Sequence, residues 1–127
     1  MENIIISDGE WKVMNVLWDN SPRSLVTIVK ELENDTGWSK ATVFVMLKRL
    51  IAKNAVSVDT SGKVQLYSPL INKNEATITE TQSFLKKVYG GSIGMMISSM
   101  SGQNTLSNEE IAELRKILDE AEQRNNK

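Results

Sequence analysis

The residues best placed to do chemistry on a nucleic acid are Ala41, Thr42, Val45, Lys48 and Arg49. At about 100° per residue along a helix they gather on one side. Val43, Leu47, Leu50 and Asn54 gather on the other, with Met46 and Ile51 at its edges. A helix with small residues and cations outward can enter a DNA major groove unobstructed. Its ammonium and guanidinium groups then neutralise phosphates, while the small side chains approach base edges. Lys40, Lys53 and Lys63 extend the cationic set. On this reading Lys48, Arg49 and Lys53 meet phosphates, and Lys63 reaches the backbone or the minor groove. Ala41, Thr42 and Val45 carry specificity. The same charges also fit a plain solvated helix face.

Such a helix must be held by others. Ser39 is its N-cap, and it runs to about Lys53. A first helix is read from Asp8 to Asp19, opened by the capping box Ser7-Asp8-Gly9-Glu10, with Trp11, Met14, Leu17 and Trp18 at helical spacing. Pro22 breaks the ladder and restrains Ser21. A second helix follows Ser24, with Leu25, Ile28, Val29 and Leu32 as its stripe, and Asn34-Asp35-Thr36-Gly37 ends it. The short break before the third helix demands a sharp turn, as in a helix-turn-helix. Val56-Ser57-Val58 and Val64-Gln65-Leu66-Tyr67 then alternate around a Gly-containing loop, which reads as a hairpin closed by Pro69. A lone hairpin is marginal, so it must pack on the helices, through Val56, Val58 and Leu66. Three helices and a hairpin make a winged helix-turn-helix.

Composition narrows the function. The chain has 127 residues, a formal net charge of −1, and neither cysteine nor histidine. Disulfides, Cys/His zinc sites and Cys or His nucleophiles are therefore excluded. There is no glycine-rich phosphate loop and no Asp-rich calcium loop. No enzyme, metal or cofactor is expected. No window approaches a membrane span, and the opening Met-Glu-Asn-Ile-Ile-Ile-Ser-Asp lacks the basic start of a signal peptide, so a cytoplasmic protein is expected. The charge is unevenly spread: Lys40, Lys48, Arg49, Lys53, Asp59 and Lys63 sum to +4 within an otherwise acidic chain.

Past Pro69 the composition shifts. Asn74 to Tyr89 reads as a helix with Ile78, Phe84, Leu85 and Val88 as its larger apolar residues, stopped by Gly90-Gly91. Ser92 to Met100 is a short apolar helix carrying Ile93, Met95, Met96 and Ile97, and Ser101-Gly102-Gln103-Asn104 is a loop. A last helix opens on a second capping box, Ser107 to Glu110, with Ile111, Leu114, Leu118 and Ala121 as its stripe and a tail from Gln123 to Lys127 that should fray. Glu109, Glu110 and Glu113 suit the positive end of the helix dipole. These three helices cannot enclose a core of their own, and a second copy is the simplest remedy. The expected organisation is mainly α (α+β): a winged-helix DNA-binding domain over 1–70 and a helical dimerisation region over 71–127. Phe84, Leu85, Val88, Tyr89, Ile93, Met96, Ile97, Ile111, Leu114 and Leu118 form the dimer contacts. Trp11, Trp18 and Trp38 are read as packing, as are Met95, Met96 and Met100.

Nearly the whole chain resembles the penicillinase-repressor group of bacterial transcription regulators, the BlaI/MecI/CopY family. Ser7 to Trp18 is similar to that family's opening S-x-x-E-W-x-V-M-x-x-x-W. Trp38-Ser39 with Thr42-Val43, Leu47, Arg49 and Leu50 resembles its recognition helix, and Phe84 to Gly91 and Leu106 to Leu118 its dimerisation helices. The resemblance implies a homodimer whose third helices lie in successive major grooves of a pseudo-palindromic operator in double-stranded DNA, blocking transcription. In its best-known members the operon confers β-lactam resistance, and others control copper export. Three departures matter. The cysteine cluster of copper-responsive members is absent, which removes thiolate sensing of Cu(I). The Asn-Phe bond at which a regulatory protease inactivates β-lactam-responsive members corresponds here to Ser99-Met100. Phe44 and Val45 stand where family members often carry polar or basic groups, implying a different operator. A winged helix used for protein–protein contact is the alternative, and the apolar Phe44-Val45 pair is the feature that suits it.

Overall fold

The computed structural model describes residues 4–103 and 105–126. In chain order its elements are α1 (Asp8–Asp19), α2 (Leu25–Thr36), α3 (Lys40–Ala52), β1 (Val56–Asp59), β2 (Leu66–Pro69), α4 (Lys73–Tyr89), α5 (Ile93–Gly102) and α6 (Asn108–Asn125). Residues 1–3 of the opening, Asn104 of the expected loop and Lys127 of the expected tail lie outside the described residues. The chain forms two compact units, Met1–Thr81 and Gln82–Lys127.

In the first unit, local signals set the helix ends. Ser7, Ser24 and Ser39 each accept the backbone N–H three residues on, at the starts of α1, α2 and α3. The Ser7–Glu10 capping box is closed from both sides. Helix α2 runs on to Thr36 and stops at Gly37, whose φ of 63° is left-handed and favours glycine. The three helices surround Val13, Met14, Leu17, Ile28, Val43, Leu47 and Leu50, all fully buried. Each contributes roughly 1.5–3 kcal/mol by leaving water. Asn54, expected on this inner face, instead lies beyond α3 in an exposed left-handed turn. The helical period no longer applies to it, because Lys53 caps the helix.

The wing corrects the expected strand. β2 starts at Leu66, two residues later than the alternation suggested, and includes Pro69. Val58 pairs with Tyr67 and Val56 with Pro69. Directly paired residues share a face, so Tyr67, at 3 % exposure, is buried with Val56, while Leu66 is only half-buried. Tyr67, rather than Leu66, anchors the hairpin. A single antiparallel bridge from Arg23 to Tyr67 ties the α1–α2 connection to it.

The first unit extends past the expected boundary at residue 70. The chain after β2 remains attached because the Trp18 indole N–H donates to the Ile71 carbonyl at 3.0 Å and Ile71 packs against the core.

In the second unit Gly90 and Gly91 both adopt positive φ, which ends α4. Helix α5 continues through Ser101 and Gly102, which were expected in a loop. Helix α6 carries the closed Ser107–Glu110 capping box and stays helical to Asn125, through most of the expected tail. None of the described residues of this unit is buried. Phe84, Val88, Ile93, Ile111 and Leu118 are exposed, and Leu85, Tyr89, Met96, Ile97 and Leu114 are half-buried. The helices thus form with their apolar stripes largely uncovered. Ser99-Met100 lies inside α5, where the Ser99 hydroxyl donates to the Met96 carbonyl at 2.8 Å and lies 2.9 Å from the Tyr89 hydroxyl.

Among the described residues no helix is long and apolar enough to cross a membrane, and no group of acidic residues could hold a metal ion.

Candidate nucleic-acid interface

Helix α3 separates its two faces cleanly. Val43, Leu47 and Leu50 are completely buried, whereas Lys40, Ala41, Phe44, Val45, Lys48 and Arg49 are exposed. The expected outward set is therefore brought together on one surface. Thr42 is half-buried at its edge, and its hydroxyl lies 3.1 Å from that of Ser39. The Ser39 side chain also accepts the Thr42 N–H at 3.2 Å. Thr42 thereby helps to start the helix as well as bordering the face.

Two features of this face escape a reading of the sequence. Phe44 is 39 % exposed, and the Lys48 ammonium lies 5.6 Å from its ring centroid, a cation–π contact one turn apart. At an exposed site such a contact favours this position of the ammonium by about 0.5–1 kcal/mol. Phe44 was legible as an apolar departure, but not as the support of Lys48.

The second concerns Lys53. Its ammonium is 2.5 Å from an oxygen of Glu10, whose side chain is almost fully buried. Glu10 also accepts the Ser7 N–H at 2.9 Å. Burial pushes the Glu10 carboxyl up, but the hydrogen bonds from Lys53 and Ser7 outweigh it and hold the pKa below the ordinary 4.5. Lys53, expected to meet phosphate, pairs with an internal carboxylate in this structure and joins the end of α3 to the start of α1. The separation of 43 residues hides this pair from any local pattern. Helices α1 and α3 also approach closely at Gly9, where a methyl would sit 2.9 Å from the Met46 terminal carbon.

The wing supplies the remaining cation. Lys63 is exposed in the loop between β1 and β2. Asp59 shapes that loop by accepting both the Ser61 N–H at 2.9 Å and the Ser61 hydroxyl at 2.7 Å. Those two hydrogen bonds hold its carboxyl below the ordinary carboxylate value. Of the expected cations, Lys40, Lys48, Arg49 and Lys63 are exposed and make no ion pair among the described residues; they come from one helix and the adjoining loop.

The family model described as penicillinase repressor matches residues 6–120. The chain belongs to this family. Within it, the chain is 37 % identical over 119 residues to the penicillinase repressor of Bacillus licheniformis, covering 94 % of this chain and 93 % of that one. It is 30 % identical over 113 residues to the methicillin resistance regulatory protein MecI of Mammaliicoccus sciuri, covering 89 % of this chain and 92 % of that one. A solved structure of Bacillus licheniformis BlaI, in monomeric form with the blaP half-operator, aligns with a TM-score of 0.51 at 36 % identity, over 58 % of this chain and 90 % of that chain. The winged helix of the first unit is thus the family's fold.

Proposed function

We propose that this chain is a DNA-binding transcriptional repressor acting as a homodimer on a pseudo-palindromic operator. The observation that carries the reading is the outward face of α3, where small and apolar side chains are bordered by Lys40, Lys48 and Arg49. The half-operator complex of a 36 % identical relative supports it. In this reading α3 enters the major groove, Lys40, Lys48, Arg49 and Lys63 neutralise phosphates, and Ala41, Thr42 and Val45 face the bases. Residues 82–127 dimerise, because two copies would cover the apolar stripes that one copy leaves in water. The protein acts in the cytoplasm, where its operator is. The protein–protein alternative accounts for Phe44 but not for the cations around it.

Fluorescence anisotropy on the DNA upstream of its own gene, beside a scrambled duplex, tests the proposal. Affinity should fall linearly in log salt with a slope of about −0.9 per phosphate neutralised, hence about −7 for a dimer using four cations on each chain. Equal, weak binding to both duplexes would overturn it.

A further inference from the structure

Phe44 does not stand alone. A shallow depression beside α3 is lined by Val26 from the first turn of α2, Phe44 from α3 and Val64 from the wing, with Ser24, Lys40 and Gln65 among its polar members. Val26 is 62 % exposed and Val64 58 %, so three apolar side chains from three segments converge in water. At about 210 Å³ the depression is smaller than the roughly 300–1,000 Å³ of a small-molecule site. Its flanks are cationic, with Lys40 at its lining and Lys48 over the Phe44 ring. An apolar patch beside cations suits a surface that is apolar at one point and anionic around it.

The major groove has one apolar group, the 5-methyl of thymine; its other edge groups donate or accept hydrogen bonds. Ala41, Phe44 and Val45 can do neither. Resting on the proposed DNA-binding reading, we infer that Phe44 is a specificity-determining residue that seats a pyrimidine 5-methyl group in the major groove. Val26 and Val64 limit where the ring can lie, and Lys48 lies over one of its faces. The recognised chemistry is the methyl group rather than the base, so a 5-methylcytosine presents the same feature.

The test uses the full chain. Duplexes are selected from a random pool, and each thymine of the selected site is replaced in turn by deoxyuridine, which removes only the methyl group. Burial of one methyl predicts a loss of about fourfold at one position of each half-site. In Phe44→Ala that loss should vanish while the salt slope stays unchanged. At the same position, 5-methylcytosine should bind more tightly than cytosine by a similar factor. Phe44 is partly exposed, and an unchanged melting curve for Phe44→Ala will establish that the fold is intact; Phe44→Gln gives a second, polar variant. Indifference of the wild-type protein to every thymine methyl overturns the inference, as does a methyl effect that survives in both variants. A salt slope lowered by about two in Phe44→Ala, one for each chain of the dimer, overturns it too, because Phe44 would then act only by holding Lys48. Failure to select any duplex would overturn the DNA-binding reading itself, a result distinct from a selected site blind to methyl groups.

Discussion

Replacing Lys53 by Met tests whether this lysine serves the fold rather than the ligand. The substitution keeps most of the aliphatic stem and removes the ammonium that faces Glu10. Glu10 would retain the Ser7 N–H as its hydrogen-bond donor within a nearly solvent-free site. Breaking a fully buried pair costs about 3–5 kcal/mol, and breaking an exposed one about 0–1 kcal/mol. The Lys53 side chain is 37 % exposed while that of Glu10 is 2 %, so an intermediate loss of about 2 kcal/mol is expected. In a chain of this length that lowers the melting temperature by about 8 °C. The pH dependence identifies the cause. In the native protein the Glu10 pKa lies below its unfolded value, so its contribution is complete above about pH 4.5 and is lost as the pH falls through the lower, folded value. In Lys53→Met only the Ser7 hydrogen bonds still oppose burial, so the folded pKa rises above that of the native protein. The difference in stability between the two proteins then grows as the pH climbs from the native folded value through the variant's, and is absent below both. The gap between the two proteins should therefore be wide at pH 7 and narrow at pH 4. Adding Glu10→Gln should recover most of the loss, because a neutral amide needs no counter-charge. Thermal melts at both pH values decide the matter. A gap as wide at pH 4 as at pH 7, or a double variant no better than Lys53→Met, refutes the argument.

Other expectations follow from the same geometry. Arg49→Ala should weaken binding to all duplexes alike and reduce the salt slope of the dimer by about two, one for each chain; a loss confined to one base pair in anisotropy titrations would mean that Arg49 reads a base. Leu47→Ala, at a fully buried position of α3, should cost about 3 kcal/mol, seen as a lower urea midpoint at unchanged m. Leu118→Lys places a charge on a stripe that two copies are proposed to cover. It should shift sedimentation equilibrium from dimer toward monomer without changing the melting of core residues around Trp18, and a native protein that is monomeric at micromolar concentration would contradict the proposed assembly.

How much of this was legible depends on the range of the interaction concerned. The helix starts follow from short-range chemistry, a serine oxygen meeting an N–H three residues away, and Ser7, Ser24, Ser39 and Ser107 sit where such caps belong. The two faces of α3 follow from the helical period, which assigned Val43, Leu47 and Leu50 inward and Lys48 and Arg49 outward. Alternation was less decisive in the wing. Val64-Gln65-Leu66-Tyr67 offers an apolar residue on both faces, and only the pairing with Val58 selects Tyr67 for the inside. Interactions across the chain left no local trace. The Lys53–Glu10 pair spans 43 residues, and the Trp18 bond that keeps Ile71 with the first unit spans 53. The convergence of Val26, Phe44 and Val64 is of the same kind.

Net charge is a poor guide to this interface because opposite charges occupy different parts of the fold. The chain carries −1 overall. Glu10 is internal and already paired, and Asp35 is engaged by Lys12 at 2.6 Å. Glu31, Glu33 and Asp35 cluster on the last turns of α2, whereas Lys40, Lys48 and Arg49 belong to α3 and Lys63 to the wing loop. At physiological salt an exposed charge is largely screened beyond about 8 Å, so a phosphate responds to its nearest cations and not to the total. Lys53, with its ammonium on the buried Glu10 carboxylate, is engaged within the fold while the other four cations are exposed. Two tasks are separated on one helix. Lys40, Lys48 and Arg49 can attract any duplex, whereas Ala41, Phe44 and Val45, lacking hydrogen-bonding groups, can discriminate only by shape and by methyl groups. On the proposed reading, affinity should therefore respond to salt, and the part of specificity carried by these three side chains to removal of a pyrimidine methyl.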